Sequence, residues 1–163
     1  MGDRGPLEGL EKQGLGLMSF LFQLSFYLAA PFWALMIVAP GWSWTRRIVG
    51  SPLIVAPIAL LYLVIAIPRL GDLLPLVTGP TLTGLQDAMA DGAAATLVWA
   101  HIIAFDLFVG RWMYLEARGR IHPLVMAPAL VVTILFAPIG FLVFAAVRKS
   151  TKERLPVDVG SGE

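Results

Sequence analysis

Three ionisable residues interrupt one long apolar run, Ala93 to Leu115, and are the best placed in this chain to do chemistry: His101, Asp106 and Arg111. An ionisable group at mid-bilayer costs roughly 2.5–3.5 kcal/mol on insertion scales, so it faces protein or water and marks a functional site by default. Histidine and aspartate together offer a proton donor and a proton acceptor. Acid–base chemistry on a lipid-soluble substrate needs such a pair in a dry site, with pKa values drawn towards working pH. The other apolar runs carry only Gln, Ser, Tyr and Thr. A proton relay, which draws ionisable groups from several helices, fits that distribution less well.

Helical geometry, about 100° per residue, divides these residues between faces. His101 shares a face with Leu97, Phe105, Phe108 and Trp112, and Asp106 shares one with Trp99, Ile102, Gly110 and Met113. Five residues of separation is about 140° of rotation, so the two are not a local i,i+4 pair. Each needs a partner on another helix or a ligand. Structural hydrogen bonding between helices is the alternative role for Asp106, and packing the alternative for His101. Arg111 lies about 10 Å from the centre of the run at 1.5 Å per residue, where it either stabilises charge or snorkels to the interface with Trp112 and Tyr114. The candidate catalytic set is therefore His101, Asp106 and Arg111. The candidate substrate-binding set is Trp99, Phe105, Phe108 and Trp112, with Gln23 and Tyr27 from an earlier run. Gln23 and Tyr27 share a face that also suits an inter-helix contact.

Cofactors find little support. A bis-histidine haem would need a second well-placed histidine, and His122 stands in a connection beside Pro123. Asp72, Asp87 and Asp91 could share a metal, but solvated acids near a helix start are the simpler reading, which the helix dipole favours. No metal and no cofactor are expected. The sequence has no cysteine, which excludes disulfides, thiolate zinc sites, Fe–S clusters and cysteine nucleophiles. A net charge of +1 gives no basic field for nucleic acid.

The elements that must position these residues are membrane helices. Of 163 residues 58% are hydrophobic and 14% charged, against about 25% charged in soluble domains. Spans of about 20 apolar residues are expected at 17–39, 51–67, 93–115 and 124–147, within a membrane domain 17–147. A polar tail 1–16 precedes it, and a basic, then Gly/Ser-rich tail 148–163 follows. Pro31 predicts a kink in the first span, and Pro68 is expected to close the second. Pro128, Pro138 and Gly140 interrupt the fourth. Trp42 and Trp44 beside Arg46 and Arg47 predict an interfacial connection, where anchoring is favoured over a specific anionic-lipid site. The 24 residues from Arg69 to Gly92 are too many for a structureless loop. The Thr83-Gly84-Leu85-Gln86 capping box predicts a short helix from about Thr83 to Ala90.

The fold class is thus all-α: a polytopic four-transmembrane-helix bundle with a short interfacial helix before the third span. Seven Lys and Arg on the side of the termini, against four or five on the other, lean both ends towards the cytoplasm. The start has neither a signal peptide's basic region nor an Arg/Ser-rich transit pattern, and Pro6 breaks the myristoylation pattern. These features read as a bacterial inner-membrane protein.

Trp99-Ala100-His101 followed by Asp106-Leu107-Phe108-Val109-Gly110-Arg111 resembles the W-x-H and D-L-F-x-x-R run of the abscisic-acid-deficient-4-like membrane proteins. The likeness continues through Arg118 to His122 and into Pro138-Ile139-Gly140, covering about Thr83 to Val147. The plant member is associated with making neoxanthin from violaxanthin. The resemblance implies a carotenoid or other isoprenoid lipid as ligand, with membrane lipid around it, and is compatible with a homo-oligomer. The concrete reaction it implies is a cofactor-free isomerisation in which an epoxide opens as a proton leaves a neighbouring carbon. His101 and Asp106 would supply donor and base, and Arg111 would orient or stabilise charge. A rod-like carotenoid also matches the roughly 30 Å hydrocarbon thickness. The contrasting reading is a non-enzymatic structural or accessory protein whose polar third span holds helices or a partner together.

Overall fold

The computed structural model describes residues 5–153, with side chains from 12 to 151. The chain is all-α: α1 Gly5–Val38, α2 Ser43–Gly50, α3 Ala56–Ala66, α4 Leu70–Thr78, α5 Leu82–Ala90, α6 Gly92–Ala117, α7 Pro123–Leu135 and α8 Ala137–Glu153. Short 3₁₀ segments, Pro52–Val55 and Ile67–Arg69, flank α3. Among the described residues three stretches are long and apolar enough to cross a membrane: Lys12–Val38, Pro52–Thr78 and Gly92–Ala117. Their exposed side chains are themselves apolar, Val64 at 70% and Val77 at 75% for example. Apolar surface on that scale is unusual in water and natural in lipid.

The described residues correct several expected boundaries. Helix begins at Gly5 rather than after a polar tail ending at residue 16, while the remainder of that tail and residues 154–163 lie outside the described residues. α1 runs through Pro31 without a break. Pro68 does not close the second span. It falls in the first turn of the 3₁₀ segment Ile67–Arg69, where a missing N–H costs nothing, and the helical path goes on through α4 to Thr78. The cap of α5 is Thr81, not Thr83: its hydroxyl accepts from the Gly84 N–H at 3.1 Å. The connection 40–50 itself contains a helix, α2.

The fourth expected span departs furthest. α7 ends at Leu135, and Phe136 takes φ −148° and ψ 76°, outside the helical region. Pro138 explains the stop, because its ring would clash with the Ile134 carbonyl of a continuous helix, and it has no N–H to bond that carbonyl. α8 then starts afresh and packs against α7. Gly140 is the point of closest approach: a Cβ built on it would come within 2.5 Å of the Thr133 backbone nitrogen and 2.6 Å of its Cα.

The chain divides into two compact units. One comprises residues up to Pro31 and Pro52–Phe105. Its interior combines small residues, Ser25, Ala29, Ala93, Thr96 and Ala100, with aliphatic ones such as Ile58, Leu61 and Leu97. Small side chains let helix backbones approach, which is how helices associate where lipid supplies no hydrophobic drive. The other comprises Phe32–Ser51 and the chain from Asp106 onward, and its interior is bulkier, with Trp33, Met36, Leu107, Met113, Leu130 and Phe144.

In the first unit Asp91 fixes the start of α6. Its Oδ1 accepts from the N–H groups of Ala94 (2.8 Å) and Ala93 (3.1 Å) and from the Arg69 guanidinium (2.5 Å). The Ala94 N–H is the largest of the influences that hold this carboxyl below its ordinary pKa, with Arg69 adding to it. A carboxyl lowered in the folded state stabilises the fold above its unfolded pKa of about 3.9. That contribution is lost as pH falls through the lowered folded value. Asp91→Ala is expected to cost about 1 kcal/mol through loss of the cap, and Asp91→Asn much less, because asparagine caps equally well. Unfolding midpoints in detergent at pH 7 and pH 3 check both: the gap between wild type and Asp91→Ala should narrow at the lower pH.

Candidate functional site

His101 belongs to the first unit and is exposed. Its imidazole stacks on Phe105, one turn along α6, at a centroid distance of 5.3 Å, and meets Tyr62 of α3 at 6.0 Å. Among the described residues no hydrogen bond reaches either ring nitrogen. Trp99 stacks on Phe22 of α1, with centroids 4.9 Å apart and planes 19° apart. Its Nε1 is buried without a hydrogen-bond partner among the described residues. A buried, unpaired donor is costly and rare in folded proteins. The unit thus offers two aromatic groups: Tyr62 and Phe105 against the imidazole, and the Phe22–Trp99 stack apart from it.

Gln23 and Tyr27 do not form the inter-helix polar contact that their shared face suggested. Both are exposed, neither makes a side-chain hydrogen bond among the described residues, and Tyr27 meets Phe26 edge-on at 6.1 Å. Asp91 is committed to its cap and to Arg69, which removes it from the metal cluster considered with Asp72 and Asp87.

The remaining candidates lie in the second unit. Asp106 is partly buried, and among the described residues neither a hydrogen bond nor an ion pair engages its carboxyl. Phe108 is exposed. Trp112 packs against Phe141 and Phe144 of α8, at 5.8 and 5.5 Å. Gly110 accommodates Trp33, whose ring lies so close that a Cβ would come within 2.5 Å of its Cζ3.

Arg111 is fully engaged by backbone. Its Nε donates to the carbonyls of Val49 (2.9 Å) and Ser51 (3.2 Å), and its Nη2 donates to that of Gly50 (2.6 Å). These are the carbonyls that a helix end leaves without intrahelical donors, and a cation there also complements the helix dipole. One turn on, the Tyr114 hydroxyl donates to the Pro40 carbonyl at 2.7 Å, and the Thr45 hydroxyl to that of Ala39 at 2.8 Å. Arg111 and Tyr114 thereby clamp both ends of α2 to α6. Sequence reasoning placed Arg111 at the interface but not on these acceptors. It also missed Phe22 and Tyr62 as neighbours of the third-span candidates, although Tyr62 stood out as the polar member of its run.

Membrane-length apolar helices, one of them bearing a histidine, an aspartate and an arginine, are those of a small membrane protein by length and composition. Residues 20–144 match the model of the ABA DEFICIENT 4-like family, and the chain belongs to that family. No curated protein and no solved structure matches the chain.

Proposed function

We propose that this protein binds a carotenoid or related isoprenoid lipid and isomerises it without a cofactor. The observation that carries the reading is that His101 and Asp106, both within a membrane-length helix, lack hydrogen-bond partners among the described residues. Unpaired ionisable groups at such positions are expensive unless something else uses them. Family membership supports the ligand class. The aromatic faces of Phe22, Trp99, Tyr62 and Phe105 suit a flat polyene, which stacks on π surfaces without needing polar contacts.

In the epoxide-opening version, a proton is delivered to the epoxide oxygen as its C–O bond breaks. A proton leaves a neighbouring carbon, and that electron pair forms the new cumulated double bond. Atoms and electrons balance within the substrate, so the protein need only donate one proton and accept one. His101 and Asp106 are the two groups assigned to this, and Arg111 holds α2 and α6 in register. The protein would act in a bacterial inner membrane.

The test is pigment profiling in a carotenoid-producing host carrying wild type, His101→Ala or Asp106→Asn. Wild type is expected to convert an epoxy-carotenoid to an isomer of equal mass. Each variant is expected to lower conversion by about 10²-fold or more at matched protein level, the lower end of the 10²–10⁴ that acid–base catalysis contributes. An unchanged pigment profile with wild type at normal abundance overturns the carotenoid reading. The engagement of Arg111 and Tyr114 with backbone favours a second reading, a structural or accessory role. Variants that abolish accumulation rather than conversion would support it.

A further inference from the structure

A second site lies wholly within the unit that contains α2 and α7. A partly open cavity of about 680 Å³ is walled by Arg46 of α2, by Tyr114 at the end of α6, and by Arg118, Arg120 and His122 of the connection that follows. Met36 and Met126 give it an apolar side. Gly119, at φ 72°, makes the left-handed turn that carries Arg118 and Arg120 onto the wall.

The charges around this cavity do not cancel. Glu116 accepts from both Arg120 and Arg148, and this local network satisfies the acid. Arg46 and Arg118 have no acidic partner among the described residues, and both lie within electrostatic reach of the Tyr114 hydroxyl. Two uncompensated guanidiniums therefore converge on one concave space. His122 adds a further donor: its Nδ1 accepts the Leu124 N–H at 3.3 Å, so the neutral ring carries its proton on Nε2. Guanidinium forks match phosphate oxygens in geometry as well as charge.

The surroundings indicate where such a phosphate would come from. Trp42 and Trp44 are half-exposed at the start of α2, the helix that brings Arg46 to the cavity, and Arg47 lies over the Trp44 ring at 5.8 Å. Tryptophan beside arginine at the end of apolar helices is the pattern of the headgroup layer. A cationic mouth with a methionine-lined side suits an amphiphile: phosphate at the guanidiniums, acyl chain along the apolar wall.

We propose that this cavity binds a phosphate group, that of an anionic membrane lipid, through Arg46 and Arg118. The site is independent of the His101 chemistry and stands or falls separately from it.

The test uses purified wild-type protein in a neutral detergent, titrated separately with dioleoylphosphatidylglycerol, dioleoylphosphatidylcholine and inorganic phosphate. Native mass spectrometry reads occupancy, and the unfolding midpoint reads stabilisation. Wild type is expected to retain phosphatidylglycerol in preference to phosphatidylcholine. Arg46→Gln/Arg118→Gln is expected to weaken that binding about tenfold or more, the loss appropriate to charge-assisted hydrogen bonds. Arg46→Lys/Arg118→Lys should restore part of it. Lys12→Gln/Arg47→Gln removes the same charge away from the cavity and should bind like wild type. Inorganic phosphate that alone stabilises wild type, but not the Arg46/Arg118 variant, keeps the phosphate site and assigns it a soluble ligand. Equal retention of the two lipids by wild type, or equal loss in the Lys12/Arg47 control, overturns the proposal. The comparison of the two lipids on wild type does not depend on whether the double glutamine variant folds.

Discussion

Gly140→Ala is expected to destabilise the protein by about 3 kcal/mol or more, at or beyond the upper end of ordinary overpacking. The added methyl group would meet the Thr133 nitrogen at 2.5 Å and its Cα at 2.6 Å, besides the Thr133 hydroxyl. Backbone atoms cannot rotate away, so α7 and α8 must separate and lose the packing between them. Thr133→Ala in the same chain removes only the hydroxyl from the clash, and should therefore recover little. Gly110→Ala makes an instructive contrast, because its obstacle is a side chain, the Trp33 ring. There Trp33→Leu should relieve much of the strain, at the cost of a cavity. Gly71, within α4, has nothing within 4 Å of its would-be Cβ. Gly71→Ala should be neutral or stabilising by up to about 1 kcal/mol through helix propensity. Denaturation by a graded detergent series, followed by far-UV circular dichroism, checks all five variants.

That contrast shows which features the sequence carried and which it did not. Apolar length and charge depletion were sufficient for the all-α membrane architecture, because both are properties of a single helix in lipid. They gave the third span as 93–115, against α6 at Gly92–Ala117. Pro138 was legible as an interruption, but not as a point where the chain turns to pack α8 on α7. That outcome depends on Gly140 meeting Thr133, a tertiary approach with no local signature. Pro68 misled for the opposite reason. A proline ends a helix only where its missing N–H or its ring conflicts with the preceding turn, and the 3₁₀ geometry at Ile67–Arg69 removes that conflict. At Thr81 and Thr83 two hydroxyls compete for one cap. The Glu/Gln half of the box favoured Thr83, yet the backbone placed Thr81 against the Gly84 N–H.

The candidate site was legible in residue type and not in partnership. Periodicity separated His101 from Asp106, and those residues fall in different compact units. Periodicity cannot name a contact 60 or more residues away, which is how far Arg111 reaches to the carbonyls it binds. Nor could it show that Asp106, in the same motif, would have no hydrogen-bond partner among the described residues.

Arg111→Met should therefore cost about 3 kcal/mol or more, because it leaves the carbonyls of Val49, Gly50 and Ser51 without their donor at an apolar interface. Hydrogen bonds to charged groups contribute about 1.5–3 kcal/mol each, and these share one side chain, so their losses will not simply add. Arg111→Lys keeps the charge near the end of α2 but replaces a rigid fork with a single ammonium, which cannot reach three divergent carbonyls at once. It should recover about half of the loss, the part owed to charge rather than to the fork. The same two variants separate the roles proposed for this residue. If Arg111 acts by holding α2 against α6, conversion of a carotenoid substrate will fall in proportion to the fraction of folded protein, and Arg111→Lys will rank between wild type and Arg111→Met in both measurements. If the guanidinium instead stabilises charge on a reacting substrate, Arg111→Lys will remain largely folded while conversion collapses. The carbonyl distances of 2.6–3.2 Å favour the first outcome. A guanidinium that turned towards a substrate would abandon the three carbonyls it now holds at the end of α2.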